Sequence, residues 1–244
     1  MTIYRNIIFL IFFGSLFSLQ AQEKVTFMSF DSLEVTAEIY EVNKNDPYIL
    51  LFHQIGGSRG EYRVIAKKLL KFGYNCIAVD LRSGKESEFV SNETAERAEN
   101  KGISRSLIDS EKDILAAIDY AFYKNHKQVL LFGSSFSASL ALKAAKGNPK
   151  VKAVIAFSPG EFFLPDLEIK DELKNFKKPV FVASSVKEYP YMLELFVNVP
   201  TQNKTVFKPS KGTGDYGTKS LGDECATANE YWLELLLFFR KLKE

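Results

Sequence analysis

Apolar residues recur along the chain as short dense runs, separated by stretches in which they return every three or four positions. Residues 48–53, 75–80, 128–132, 151–157 and 179–184 are nearly continuous apolar segments, the pattern of strands buried on both faces. Residues 61–72 place Ile65, Leu69 and Phe72 at helical spacing, and Gly73 closes the segment. Residues 106–123 do the same with Leu107, Ile114, Leu115, Ile118 and Phe122. Helices are also predicted over 137–146, 189–196 and 226–242, with a last strand over 204–208. At the front, 25–30 and 33–42 are β-prone runs split by Asp31-Ser32, which predicts a hairpin.

Strands alternating with helices predict an α/β fold, with a mostly parallel sheet covered on both faces. The opening hairpin adds an antiparallel edge. Residues 81–105 are polar and charged, and predict a surface loop that overhangs part of the site. No insertion is long enough to form a separate cap domain, so residues 22–244 read as one domain.

The first 21 residues change the picture of where the protein works. Arg5 precedes an almost wholly apolar run over 7–17, and Ser18-Leu19-Gln20-Ala21 offers small residues at a cleavage site. This predicts a signal peptide over 1–21 and an exported product, periplasmic or secreted. A retained N-terminal anchor is the alternative; membrane contact is expected only through that segment, since the apolar run is short for a span. The formal net charge of +2 arises from 32 basic and 30 acidic residues mixed along the chain, which argues against a nucleic-acid partner. Cys76 lies in an apolar strand and Cys225 opens the last helical segment. Both read as buried free thiols, with a disulfide between them as the alternative in an exported protein, and neither has ligand spacing for a metal. No nucleotide-binding glycine motif occurs, so no cofactor is expected.

The chemistry is concentrated at Gly133-Ser134-Ser135-Phe136-Ser137, between a strand and an Ala/Leu-rich helix. A G-x-S-x-G elbow needs small residues because its serine sits on a strained turn that lifts the hydroxyl clear of the sheet. Here the last position is Ser137, small but not glycine. His53-Gln54-Ile55-Gly56-Gly57 follows an earlier strand, where a turn can donate a backbone N–H to an oxyanion. The N–H of Phe136 is the expected second donor.

With Asp80-Leu81-Arg82-Ser83-Gly84, Ser158-Pro159-Gly160 and Gly214-Asp215-Tyr216-Gly217, these motifs span the mature chain. On them the sequence resembles the α/β-hydrolase superfamily, in its dienelactone-hydrolase-like esterase branch. The resemblance implies a nucleophile at Ser135, followed in chain order by an acid and a histidine. Glu188 matches the acid, with Glu161 as the runner-up. The histidine position, in the loop after the last strand, is occupied by Tyr216.

The chain has two histidines, His53 and His126, so no shift of alignment supplies one after position 126. His126 precedes the strand that ends at the elbow and is expected at the far edge of the sheet. His53 is expected at the same edge as Ser135, either as a surrogate base or as a shaper of the oxyanion turn. Phe136, Phe162, Phe163, Tyr189 and Tyr216 are candidates to line an apolar or aromatic pocket. Two functions follow. One is a serine carboxylic-ester hydrolase of weak or altered activity, acting on a small-molecule ester. The other is an inactive binding protein on the same scaffold.

Overall fold

In the computed structural model, residues 22–243 are described; the predicted signal peptide lies outside them. The hairpin is formed by β1 (Gln22–Met28) and β2 (Glu34–Tyr40). The chain continues through β3 (Tyr48–Phe52), α1 (Arg63–Leu70) and β4 (Asn75–Val79). A small hairpin, β5 (Glu86–Ser87) and β6 (Val90–Ser91), precedes α2 (Glu93–Asn100) and α3 (Ser110–Asn125). Then come β7 (Val129–Ser134), α4 (Phe136–Ala145), β8 (Val151–Phe157) and α5 (Ile169–Glu172). The remainder is β9 (Val180–Ala183), α6 (Tyr189–Leu195), β10 (Lys204–Phe207) and α7 (Ala228–Lys241).

The main sheet has eight strands in the order β1-β2-β4-β3-β7-β8-β9-β10. Neighbours from β4 to β10 pair in parallel, and β2 alone runs against the rest. Every residue of β3, β4, β7 and β9 is buried, because both faces of the sheet are covered. One face packs Leu50, Leu131, Val154 and Val182 against apolar residues of α3 and α4. The other packs Leu51, Phe132, Ile155 and Phe181 against α1 and α7, where Leu69, Tyr231 and Phe238 lie. The result is the predicted α/β architecture, with no cap domain among the described residues.

The stretch from Leu81 to Arg105 departs from the expected loop. Arg82 is fully buried, and its guanidinium pairs with buried Asp113 at the start of α3 and with Asp31 in the β1–β2 turn. Arg59 makes a second ion pair with buried Asp80, and reaches Glu93 on α2. Asn92 caps α2 through Ala95 N–H, while its amide nitrogen reaches the carbonyls of Leu81 and Gly57. Breaking a buried pair of this kind leaves an uncompensated charge, at a cost of about 3–5 kcal/mol. The segment is therefore pinned beside the carboxyl ends of the strands. Those ends of β3, β7, β8, β9 and β10 meet at one edge, where ligands bind in open α/β sheets.

Cys76 and Cys225 are both buried and unpaired, as expected. Among the described residues no helix is long and apolar enough to cross a membrane. No cluster of three His, Cys, Asp or Glu that could hold a metal occurs among them.

Candidate active site

Ser135 stands alone between the last residue of β7 and the first of α4, at φ 61° and ψ −129°. A non-glycine residue in such a conformation costs about 1–3 kcal/mol, so its surroundings must hold it there. Ser135 N–H donates to Phe157 O of β8 at 2.8 Å, and Ser135 O accepts from Ala138 N–H at 3.0 Å. Strand and helix then approach so closely that a Cβ on Gly133 would lie 2.5 Å from the backbone of Ala138. Glycine is required at that first position. At the last, Ser137 Oγ accepts from Ser134 N–H at 3.0 Å and lies 2.7 Å from Phe52 O, to which it can donate. Its hydroxyl thus stitches the turn to β3, which is why serine serves where a second glycine is usual.

Tyr216, in the loop after β10, brings its hydroxyl to 2.7 Å from Ser135 Oγ. Three serines hold that loop and its neighbour. Gly217 N–H donates to Ser158 Oγ at 2.9 Å, and Thr218 N–H to Ser134 Oγ at 3.2 Å. Gly217 itself has φ +61°, and a Cβ there would fall 2.6 Å from Ser134 Oγ. Ser158 Oγ donates onward to Glu188 Oε2 at 3.2 Å, which also accepts from Ser185 N–H and Ser185 Oγ. Glu188 thus reaches the Tyr216 loop through Ser158 rather than by touching the phenol.

Burial pushes the Tyr216 phenol above the usual tyrosine range. The bond to Ser135 opposes this, and the negative charge of Glu188 adds to it. At neutral pH the pair at the elbow is therefore a serine hydroxyl and a protonated phenol.

The other residues singled out in the sequence are placed differently. His53 is wholly buried. Its Nε2 accepts from Leu81 N–H at 2.9 Å, so its Nδ1 carries the proton and donates to Gln54 O at 2.8 Å. Burial pulls it down to about 4. Both ring nitrogens serve the backbone, which corrects the surrogate-base alternative for His53 and agrees with the other, a shaper of the turn at Gln54. His126 caps the end of α3 with φ 55°, ahead of β7 and away from the site. Glu161 spends both carboxylate oxygens on the N–H groups of Ile169 and Lys170 at the start of α5. That separates it from Glu188.

Of the oxyanion-turn residues, Gln54 is a correction: its N–H donates to Glu61 Oε2 at 3.0 Å. Ile55 N–H carries no such bond to another described group. The N–H of Phe136 is first in α4 and has no intrahelical acceptor. Its ring is not a pocket wall but lies in the core, as does Phe163. Phe162 and Tyr191 remain partly exposed and flank Gly160. Two small hollows among the described residues lie elsewhere, one of about 80 Å³ at Pro179, Phe238 and Lys241, the other of about 200 Å³ at Gly84, Asn92 and Arg105.

The supporting shell was not anticipated: Glu61, Ser134, Ser158 and Thr218. Ser158 lay within a motif matched by resemblance, but a serine's role as a bridge depends on which loops meet in space.

By sequence, no curated protein matches the chain. Among solved structures, a dienelactone hydrolase from Anabaena variabilis superposes with TM-score 0.68 at 19% identity, over 91% of this chain and 97% of that one. An esterase from Pyrococcus furiosus gives TM-score 0.68 at 17% identity, over 91% and 92%. A putative dienelactone hydrolase from Klebsiella pneumoniae gives 0.64 at 16%, over 91% and 99%. At these identities the likeness establishes the fold. A family model described as "Dienelactone hydrolase family" matches residues 35–188, more than half of the sequence. The chain belongs to the dienelactone hydrolase family.

Proposed function

We propose that the protein is an exported serine carboxylic-ester hydrolase of low turnover, with Ser135 as nucleophile and Tyr216 in the place of the histidine base. The observation that carries this reading is the 2.7 Å contact between Ser135 Oγ and the Tyr216 hydroxyl on a strained elbow. In the acylation step the Ser135 proton passes to an ionised Tyr216 oxygen as Ser135 Oγ bonds the ester carbon. The carbonyl electron pair moves to oxygen, where the N–H groups of Phe136 and Ile55 stabilise the charge. Collapse expels the alcohol, which takes its proton from Tyr216. Water then repeats the sequence and releases the carboxylic acid.

This arrangement is slow by construction. A phenol with an ordinary pKa of about 10 is ionised in roughly one molecule per thousand at pH 7, and burial lowers that fraction further. The family supports a small-molecule ester as substrate, and the exposed edges of Phe162 and Tyr191 favour an apolar or aromatic group on it.

The second reading, a binding protein on a hydrolase scaffold, is favoured by the protonated phenol on the serine. Hydrolysis of an activated aryl ester separates the two. The enzyme reading expects turnover that disappears in Ser135→Ala; equal rates in the two proteins support the binding protein. Export rests on the leader-like residues 1–21. Protein recovered from the exported fraction should begin at Gln22, and Met1 retained in a membrane pellet would overturn that part.

A further inference from the structure

The oxyanion turn and the Tyr216 loop come from opposite ends of the chain, yet one carboxylate touches both. Glu61 lies in the short turn Arg59–Tyr62 that leads into α1. Its Oε2 accepts from Gln54 N–H at 3.0 Å, and its Oε1 accepts from the Thr218 hydroxyl. A Cβ added to Gly57 would stand 3.0 Å from Glu61 Oε2 and 3.1 Å from His53 Cβ, so the turn closes tightly around the carboxylate. Thr218 is two residues from Tyr216, and Gln54 precedes Ile55, the remaining donor of the turn. On the Thr218 side the loop has two further ties, to Ser134 and Ser158. Neither reaches the oxyanion turn.

We infer that Glu61 is a positioning residue that clamps the oxyanion turn to the Tyr216 loop, fixing both relative to Ser135. It touches no reacting atom. Its effect passes through Gln54 and Thr218, and it deepens the hydrolase reading without depending on it for the clamp itself.

Several groups around Glu61 bear on its charge. Lys219, in the turn Gly217–Leu221, favours the carboxylate. Tyr62, on the same turn as Glu61, and His53, at the end of β3, are both buried and neutral at pH 7. Burial dominates and lifts the Glu61 carboxyl to about 7, against the bonds from Thr218 and Gln54 and the charge of Lys219. The clamp therefore changes protonation in the neutral range. The ionised form accepts from both loops, whereas the acid must turn one of its oxygens into a donor.

Hydrogen–deuterium exchange over residues 53–57 and 214–221, corrected for intrinsic exchange, tests the clamp without any substrate. In the wild type, protection of the two segments should rise together as pH increases from 5.5 to 8.5. Glu61→Ala should lose protection in both segments while the amides of β7 and β8 keep theirs. Glu61→Gln, which can still accept from one loop and donate to the other, should restore most of the protection and abolish its pH step. Phosphonylation of Ser135 by a fluorophosphonate should slow about 10²-fold in Glu61→Ala, the loss expected for a misplacement of about 1 Å.

If Glu61→Ala loosens only one segment, or the pH step survives in Glu61→Gln, the clamp is wrong whatever Ser135 does. If the segments respond as expected but Ser135 is unreactive in every variant, the clamp stands and the hydrolase reading falls.

Discussion

On the proposed reading, replacing Tyr216 by histidine puts at the base position the residue type that a serine at an elbow normally uses, and the structure sets how much activity that should add. Loss of one triad member lowers turnover by about 10⁴–10⁶-fold, which is the ceiling on any gain. The phenol oxygen now sits 2.7 Å from Ser135 Oγ. An imidazole nitrogen on the same Cα ends short of that point by roughly 2 Å, one to two bond lengths. The loop ties at Gly217 and Thr218 resist closing this gap, and each 1 Å of misplacement costs about 10²-fold. Glu188 is tied through Oε2, leaving Oε1 to orient the ring. A gap of roughly 2 Å at that cost takes about 10⁴-fold from the ceiling, so Tyr216→His should raise kcat/KM on an activated aryl ester by about tenfold, the middle of the range that remains, equivalent to about 1.4 kcal/mol of barrier. The gain should appear as a plateau above a pKa near 6–7, the ordinary imidazole range. Unchanged activity, or a gain that persists in the double variant with Ser135→Ala, would refute the assignment of this loop as the base position.

Other outcomes follow from the same contacts. His53→Ala should lower the melting temperature by orphaning Leu81 N–H, at a cost of about 1–3 kcal/mol. It should leave the shape of the pH–rate profile unchanged, because His53 does not titrate near neutral pH. Arg82→Ala should cost about 3–5 kcal/mol in urea unfolding by stranding buried Asp113. The Arg82 guanidinium holds Asp31 down to about 2, so its stabilisation is complete above pH 4 and fades as pH falls toward 2. That acid limb should shrink in the Arg82 variant, where Lys112, 3.6 Å from Asp31, still favours the carboxylate. Gly133→Ala should yield little folded protein, because its methyl meets the Ala138 backbone; normal expression and a wild-type melting temperature would contradict the close approach of β7 and α4.

The strands were legible because parallel strands buried on both faces leave unbroken apolar runs, as in Tyr48–Phe52 and Val180–Ala183. The absence of a late histidine was legible because it depends on no boundary. Helix α2 was not: its sequence ETAERAEN buries only Thr94, Ala95 and Ala98, too little apolar surface to show a period, and it is fixed by Asn92 and Arg59. The elbow could be found from Gly133 and its flanking elements, and the position of Tyr216 from the order of motifs. The meaning of His53 could not, since whether a histidine at a strand end faces the site or the backbone depends on Leu81 and Gln54 in three dimensions. Glu61 and Ser158 were hidden for the same reason, each bridging loops far apart in sequence.

The central claim is that Ser135 is a nucleophile whose proton partner is Tyr216. Its most direct test is the pH dependence of Ser135 phosphonylation by a fluorophosphonate, followed by intact mass and peptide mapping. The account predicts one adduct, on Ser135, formed at a rate that rises about tenfold per pH unit through neutrality and keeps rising past pH 10. Tyr216→Phe should remove that rise. No adduct, an adduct elsewhere, or a rate that levels off near pH 7 would contradict it.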